Sequence, residues 1–463
     1  GIDIAKYMKA AGNTMLRLLI SLKDGSVTYT DNRGTLLPGF TPEPTFLGNR
    51  FSDMAPGMGF VFGDQSDIRY RAADNNWIST DSLLNSAYLT RVSKNLVIRA
   101  NLEPLPFLRI DLTADRTEAI NHQEYFKMGP DGEFASFAAQ QGGNFSMSYL
   151  MWNTAFTSHR KDHSSPVFEE FKENRLTIAS RLAADNPLSQ GVDTMGYPDG
   201  YSAVSQDVLL HSFLAAYSGS DPASLRLNPF PSIPLPNWRI TYNGLTQIPF
   251  FKRYFRTFTI SHGYRSVYNV GSYMTNLEYR EGLGMRDNAG NFISEMRIDV
   301  VTITEQFSPL FNIDMTWHNS LLSRFEIKNT RNLSFSFVNN QLTEVTSKEY
   351  LVGLGYRVQN LRFLVTSIGG TGRSQRVSSE LNLKVDVSVR NNKTVLRRID
   401  EDIDQVSAGQ QLIAINFSAD YMVSQNLTAR AFFERSSTNP FISNQYPSST
   451  TFSGISLRFT LAQ

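Results

Sequence analysis

Two histidines are the first candidates for chemistry in this sequence. His159 and His163 stand four residues apart, which on a helix would place two metal ligands on one face. Serines and an aspartate surround them, and this composition favours a polar loop over a metal site. We therefore expect no metal here.

A run of carboxylates and a run of glycines are the next candidates. Asp400, Glu401, Asp402 and Asp404 could hold calcium, but the run lacks the spacing and the glycine of an EF-hand loop. We expect a solvated outer loop there. A triplet of glycines suggests a phosphate loop, but no Gly-Lys-Ser/Thr sequence accompanies it, which favours a flexible turn. These glycines are Gly369, Gly370 and Gly372.

The sequence favours a protein without enzymatic chemistry. No G-x-S-x-G nucleophile motif occurs, and the absence of cysteine excludes disulfides and thiolate ligands. The 44 basic and 43 acidic residues nearly cancel, so no charge bias indicates nucleic acid. We expect neither catalytic residues nor a cofactor.

Long alternating segments dominate the second half of the chain. Leu383, Val385 and Val387 alternate with polar residues, and the same pattern recurs over residues 413–423, 427–433 and 455–461. Runs of ten residues are long enough for a tilted strand to cross a bilayer. No apolar run approaches the eighteen residues of a membrane helix. The pattern predicts an all-β membrane protein with antiparallel transmembrane β-barrel strands and a small helical insertion.

Three zones follow from this pattern. Residues 1–159 hold barrel strands and loops, residues 160–253 an aqueous insertion, and residues 254–463 the C-terminal barrel strands. Strands are predicted near residues 14–21, 24–30, 93–102, 106–118 and 143–153. In the insertion, Ser165 and Pro166 can begin a helix, a second helix covers residues 204–217, and a proline-rich stretch follows.

The strand count is about fourteen to sixteen. Residues 256–279 form either one long strand or a hairpin. Residues 424–426 are predicted to form a tight periplasmic turn, with longer outer loops at 391–409 and 436–451. Charged residues alternating with the apolar ones are predicted to face a wet lumen. They are Lys384, Asp386, Arg390, Asp420, Arg430 and Arg458.

Strand edges cannot stay unpaired in lipid, because each free peptide group there costs several kcal/mol. The strands must therefore close on themselves or pair with strands outside this sequence. Sixteen strands would leave an opening of roughly 20 Å, too narrow for a folded domain with a radius of gyration of about 13 Å. The chain begins with glycine and carries no signal peptide, so we expect a fragment or a mature product.

Several segments resemble the C-terminal region of the SprA/Sov family, the outer-membrane translocons of the type IX secretion system in Bacteroidetes. The matching segments are residues 207–219, 236–244, 257–264, 347–358, 391–400, 418–425 and 452–463. The resemblance implies the C-terminal portion of a very large single-chain barrel. The largest known barrels have about 36 strands, roughly 70 Å across, which is wide enough for folded cargo.

The same resemblance implies the function and the partners. The pore would export folded proteins with C-terminal sorting domains, including gliding adhesins. Its partners would be a smaller PorV-like barrel, a periplasmic plug protein, trans-envelope motor components and outer-membrane lipid. The last strand resembles a barrel-assembly signal through Gly454, Leu457, Phe459 and Leu461, although it ends in Leu-Ala-Gln and carries Phe452 at a position that is usually polar.

Two other classes of protein stay open from the sequence. One is a self-contained porin or lipid/fatty-acid transporter of fourteen to sixteen strands. The other is an outer-membrane hydrolase, which would need an acid, a base and a nucleophile to converge on neighbouring strands.

Overall fold

The computed structural model describes residues 21–157, 160, 163–365, 375–399, 401, 403–424, 427–442 and 445–460. Fourteen strands within these residues form one antiparallel sheet. The strands are β1 (Leu22–Leu36), β2 (Tyr88–Leu105), β3 (Leu108–Met128), β4 (Phe134–Ser148), β5 (Asn237–Tyr242), β6 (Phe255–Thr275), β7 (Met296–Ile298), β8 (Val300–Trp317), β9 (Leu321–Ser336), β10 (Gln341–Val365), β11 (Gln375–Arg398), β12 (Ile403–Ser424), β13 (Leu427–Pro440) and β14 (Ser448–Phe459).

Five α-helices lie in the connections between strands. They are α1 (Met58–Val61), α2 (Arg69–Asp74), α3 (Pro166–Ala184), α4 (Gln206–Ser218) and α5 (Pro249–Tyr254). None of the helices in the described ranges is long and apolar enough to cross a membrane. The predicted helix start at Ser165 and Pro166 is confirmed, and the second helix lies within two residues of its predicted bounds.

The sheet is a meander in which most strands pair with their neighbours in sequence. Its order is β1-β2-β3-β4-β6-β8-β9-β10-β11-β12-β13-β14, with β5 between β3 and β6 and β7 beside β6. Within the described residues, no ladder joins β1 to β14. The sheet therefore has two edges, at β1 and at β14.

We call each strand position across the sheet a lane, and one lane is filled by two separate strands. β4 pairs with residues 116–128 of β3, and β5 pairs with residues 108–113 of the same strand. Both β4 and β5 also pair with β6, so together they fill a single lane. The chain leaves this lane after Ser148 and returns at Asn237. Residues 149–236, here called the insertion, lie between these two points.

Two polar side chains complete the hydrogen bonding where the lane is broken. The Ser148 hydroxyl accepts a hydrogen bond from the Asp115 amide at 3.1 Å and donates one to the Leu235 carbonyl at 2.7 Å. The Asn237 carboxamide oxygen accepts a hydrogen bond from the Ser266 amide at 2.7 Å. The interruption therefore leaves these backbone groups satisfied, as a sheet interior requires.

Strand pairing sorts the side chains onto two faces, because directly paired residues lie on the same face. We call the face that carries Val387 and its partner Ile415 the apolar face, and the face that carries Asp386 and its partner Asn416 the polar face. The register extends both faces across every lane. Thr28, Asn95 and Thr117 lie on the polar face at the β1 end of the sheet.

The insertion packs on part of the apolar face. Its core joins α3 and α4 to the sheet through Phe171, Phe213 and Phe335, all fully buried. The ring centroids of Phe213 and Phe335 are 5.5 Å apart. Gly219 ends α4 in a left-handed conformation (φ 66°), which glycine adopts without strain.

The rest of the apolar face is an exposed apolar band. Large hydrophobic side chains project from it along most lanes, and a soluble sheet would bury them. Members of the band are Val27, Tyr29, Ile98, Phe311, Tyr350, Val352, Leu354, Tyr356, Val387, Phe433, Ile455, Leu457 and Phe459.

Strands extend further than the sequence predicted. Residues 391–398 and 403–409 are paired strand, so the predicted outer loop at 391–409 is wrong, and the loop at 436–451 shrinks to the segment between Pro440 and Ser448. The backbone ladder needs no apolar side chains, so strands can continue beyond an apolar segment. Residues 256–279 contain one strand, β6, and no hairpin. The strand predicted at 143–153 ends at Ser148, and β5 lies inside the predicted insertion zone. The strand predicted at 14–21 lies almost wholly outside the described residues.

A buried histidine makes the insertion sensitive to acid. His211 on α4 is 3% exposed, and its Nδ1 donates to the Asp207 carbonyl at 2.7 Å. Burial lowers the pKa of His211, Arg181 adds to the effect, and Asp207 opposes it only in part. Below about pH 6.5 the unfolded chain therefore binds a proton that the folded insertion excludes, and stability falls by up to about 1.4 kcal/mol per pH unit.

We expect the urea concentration at which half of the insertion is cleaved by a protease to be lower at about pH 5.5 than at about pH 7.5. His211→Asn should remove most of that drop, whereas His318→Gln, at an exposed position, should retain it. An equal drop in all three proteins would contradict the assignment to His211.

Candidate functional site

The polar face carries a network of charges that crosses four strands. Arg324 on β9 lies 3.7 Å from Asp314 on β8 and 2.9 Å from Glu326. Lys328 connects Glu326, at 3.4 Å, with Glu349 on β10, at 3.9 Å.

Arg390 on β11 ends the network, 3.1 Å from Glu349. Three carboxylates therefore alternate with three cations, and their formal charges cancel. The Glu326 and Glu349 side chains are 5% and 12% exposed, whereas Arg324 and Arg390 are 48% and 42% exposed, so these pairs lie between surface and buried ion pairs. The network gives the polar face a surface on which the formal charges are balanced.

The six residues predicted to face the lumen all lie on the polar face. Lys384 contacts Asp386 at 2.7 Å, and Arg430 on β13 lies 3.6 Å from its cross-strand partner Asp420 on β12. Arg458 on β14 is in register with Thr428 on the same face. Sequence reasoning missed the charged residues on β8, β9 and β10. The alternation from Arg324 to Lys328 was the signal that could have found them.

Glycine shapes the polar face beside these pairs. Gly353 pairs with Asp386, and a Cβ atom at Gly353 would lie 2.7 Å from the Asp386 carboxylate. With Gly355, it forms the floor of a depression of about 450 Å³ that Leu322, Arg324 and Lys384 also line.

Aromatic clusters mark two levels on the apolar face. At the edge of the insertion, Trp152 packs on Trp238 and on Phe307, with ring centroids 5.4 and 5.6 Å apart. At the opposite end, Phe255 packs on Trp317, with centroids 4.3 Å apart. Phe307 and Trp317 are ten positions apart on β8. Two of these residues lie in a bulge between Phe307 and Phe311, so the strand advances about eight ladder positions. At about 3.3 Å per residue and a tilt of about 40°, this corresponds to about 20 Å, close to the height of about 25 Å between aromatic girdles in membrane barrels.

Two buried arginines attach the insertion to the sheet. Arg331 lies 2.9 Å from Glu305 and donates to the Thr154 carbonyl at 3.0 Å. Arg397 lies 2.9 Å from both Glu344 and Asp404, and it donates to the His163 carbonyl at 2.9 Å. Each arginine therefore links strand carboxylates to the backbone of the insertion.

Of the two histidines considered as metal ligands, the structure describes only His163. His163 Nδ1 lies 2.8 Å from Lys393 Nζ, and His159 lies outside the described residues. In the described part of the chain, no three metal-ligating side chains converge.

The predicted solvated acidic loop is wrong at Asp404. This residue lies in β12 with a side chain only 16% exposed, because Arg397 draws it into the buried cluster. Glu401 pairs with Arg398 at 2.9 Å. Asp400, Asp402 and the three glycines at 369, 370 and 372 lie outside the described residues.

The predicted assembly signal is divided between the two faces. Leu457 and Phe459 project from the apolar face of β14, 70% and 63% exposed. Gly454 lies on the polar face, where the ring of Phe432 occupies the space that a Cβ atom would need. Leu461 lies outside the described residues.

Thiol labelling should separate the two faces. The chain has no cysteine, so Lys384→Cys and Val387→Cys each introduce a single thiol. In native membranes, we expect a charged, membrane-impermeant thiol reagent to label Lys384→Cys at least about tenfold faster, because only the polar face meets water. Equal labelling rates in membranes would contradict the assignment of the two faces. Unfolding in detergent should equalise the rates and serves as the control.

These features define the class of the protein. It is an antiparallel β-sheet protein of the transmembrane β-barrel class, with a small helical insertion on the apolar face of its wall. No known family model matches the sequence, and no curated protein matches it. Among solved structures, the chain is similar to the anion-selective porin from Comamonas acidovorans, with 9% identity over 80% of this chain and 95% of that chain. The TM-score is 0.12, so this likeness carries no argument.

Proposed function

We propose that this chain forms part of the wall of an outer-membrane protein-conducting pore, the translocon of the type IX secretion system. The observation that carries the proposal is a sheet, open in the described residues, with a polar, charge-balanced face and an apolar band on the opposite face. We propose that this wall serves as a conduit and has no enzymatic role.

The charge balance suits the passage of folded proteins. A cargo surface of either sign meets paired charges along β8 to β11, so no single site holds it strongly. Tight binding of cargo at one site would slow its release. Conduction therefore needs weak contacts that are distributed along the wall. The resemblance to the SprA/Sov family supplies the substrate class, which is folded proteins with C-terminal sorting domains, including gliding adhesins.

The edges of the sheet favour a wider barrel over a self-contained porin. β1 and β14 do not pair with each other in the described residues, and unpaired edges are costly in lipid. Additional strands would satisfy both edges and widen the lumen. The proposed partners are a PorV-like barrel, a periplasmic plug protein and trans-envelope motor components.

The denatured mass of the native polypeptide tests the wider barrel. An antibody against residues 452–463 should detect a chain several-fold larger than 52.1 kDa. A band near 52 kDa would instead support the self-contained transporter or a divided barrel.

Crosslinking to a stalled cargo tests conduction itself. A sorting-domain protein that carries introduced cysteines and is fused to a domain that cannot pass should form disulfides with Lys384→Cys on the polar face when copper phenanthroline is added as the oxidant. Val387→Cys on the same strand should form none. Normal export after removal of β11–β14 would overturn the proposal.

A further inference from the structure

A cavity of about 380 Å³ opens on the apolar face where the insertion meets the exposed band. The insertion contributes Phe156, and the sheet contributes Lys348 on β10 and Lys393 on β11. Phe441, just beyond β13, lines the cavity as well. Both phenylalanines are 53% exposed, so the walls of the cavity are aromatic and accessible.

The two lysines are diagonal neighbours on one face. Lys348 is in register with Asn391, two residues from Lys393 on the same strand. Side chains in this arrangement have Cβ atoms within about 8 Å, so both ammonium groups can reach one anion.

In the part of the chain that the structure describes, neither lysine forms an ion pair with a carboxylate, and Lys393 Nζ lies 2.8 Å from His163 Nδ1. The other charges of the cavity are already paired, Arg331 with Glu305 and Glu344 with Arg397. The two ammonium groups therefore give the described part of the cavity a cationic character beside the Glu344–Arg397 pair.

Hydrogen-bond donors complete the polar part of the cavity. Thr346 lines it beside the lysines. The Asn391 oxygen accepts a hydrogen bond from Gln411 at 3.1 Å, which leaves the Asn391 amide nitrogen as a donor.

The exposed apolar band continues directly from the cavity. Tyr350 and Val352 follow Lys348 on the same face of β10 and are 46% and 47% exposed. Val387 lies beside them on β11, paired with Val352. Cations above an apolar strip match an amphiphile with an anionic head and acyl chains.

We propose that this cavity binds the phosphate-bearing headgroup of a membrane lipid, with Lys348 and Lys393 on the phosphate and the acyl chains along Val352 and Val387. The inference rests on the proposed membrane placement of the band. An acidic protein partner fits the site less well, because the apolar strip would then remain uncovered.

Native mass spectrometry of the full-length protein in detergent tests the site. The probes are bisphosphorylated lipid A, the same lipid after removal of its phosphates, and inorganic phosphate. Lys348→Gln with Lys393→Gln should weaken binding of the bisphosphorylated lipid by about fivefold per lysine, or about 25-fold together. Lys384→Gln, on the polar face, is the matched control and should bind the lipid normally.

The outcomes distinguish phosphate-dependent lipid binding at this cavity from its alternatives. Retention of the phosphorylated lipid by the native protein and its loss from the double variant support the site. Equal binding of the dephosphorylated lipid overturns it. Displacement of lipid by millimolar inorganic phosphate would show a free-anion site, and unchanged binding by the double variant would place the lipid elsewhere. Membrane integration of the native protein, tested by alkaline extraction, separates failure of this site from failure of the proposed function.

Discussion

Deletion of residues 452–463 is expected to abolish membrane integration of the protein. The truncation removes β14 from Phe452 to Phe459 and exposes the edge of β13 from Leu427 to Glu434. Each peptide group left unpaired in the hydrocarbon costs several kcal/mol, which together exceeds the usual stability of a folded protein. The measurement is the fraction of the protein that resists alkaline extraction from outer membranes.

Two variants distinguish the effect of backbone pairing by β14 from the recognition of its side chains as an assembly signal. Arg458→Gln keeps the backbone ladder and changes only the polar face, so we expect normal integration. Leu457→Asn with Phe459→Asn keeps the ladder but removes two exposed apolar side chains from the band. It should reduce integration severely if the terminal strand is also an assembly signal. Normal integration of the truncation would refute the role of β14.

Replacement of Arg397 by methionine should destabilise the protein by about 3–5 kcal/mol, the usual cost of removing one partner of a buried ion pair. The Arg397 side chain is fully buried and lies 2.9 Å from both Glu344 and Asp404. Without it, two carboxylates of low exposure lose their cation. The His163 carbonyl also loses its donor. The check is urea-induced unfolding of the detergent-solubilised protein, with protease sensitivity of the insertion as a second readout.

Compensating substitutions provide the control. Adding Glu344→Gln and Asp404→Asn to Arg397→Met removes the uncompensated charges, and we expect most of the lost stability to return. Arg398→Met, next in sequence but half exposed and paired with Glu401, should cost less than about 1 kcal/mol. A loss at Arg398 equal to that at Arg397 would contradict a specific buried cluster.

The Arg397 variants test how the insertion is attached to the sheet. Arg331 and Arg397 contact it from two separate strands, β9 and β11. The two arginines therefore hold the insertion across three neighbouring strands, β9 to β11, and the edge of the insertion forms one wall of the proposed lipid cavity. Weakening Arg397 should thus also weaken lipid binding, whereas charge changes on the polar face should not.

The strands and the two faces could be predicted from the sequence. Alternation along β11 and β12 identifies strands and separates Val387 from Asp386, because a period of two is a property of the local chain. The start of α3 at Pro166 is equally local, since proline is pre-organised for the first helical position; Ser165 is the N-cap residue and makes no capping hydrogen bond through its side chain. All six predicted lumen residues lie on one face for the same reason.

Tertiary structure alone decided where the insertion lies and which charges meet. The break between β4 and β5, the contact of Phe171 with Phe335, and the cluster of Arg397 join positions far apart in sequence, which no local period encodes. Loop lengths were also misjudged, because strand pairing continues through polar segments wherever a neighbouring strand supplies partners. The local pattern thus determines which side chains share a face. Long-range pairing determines what covers that face.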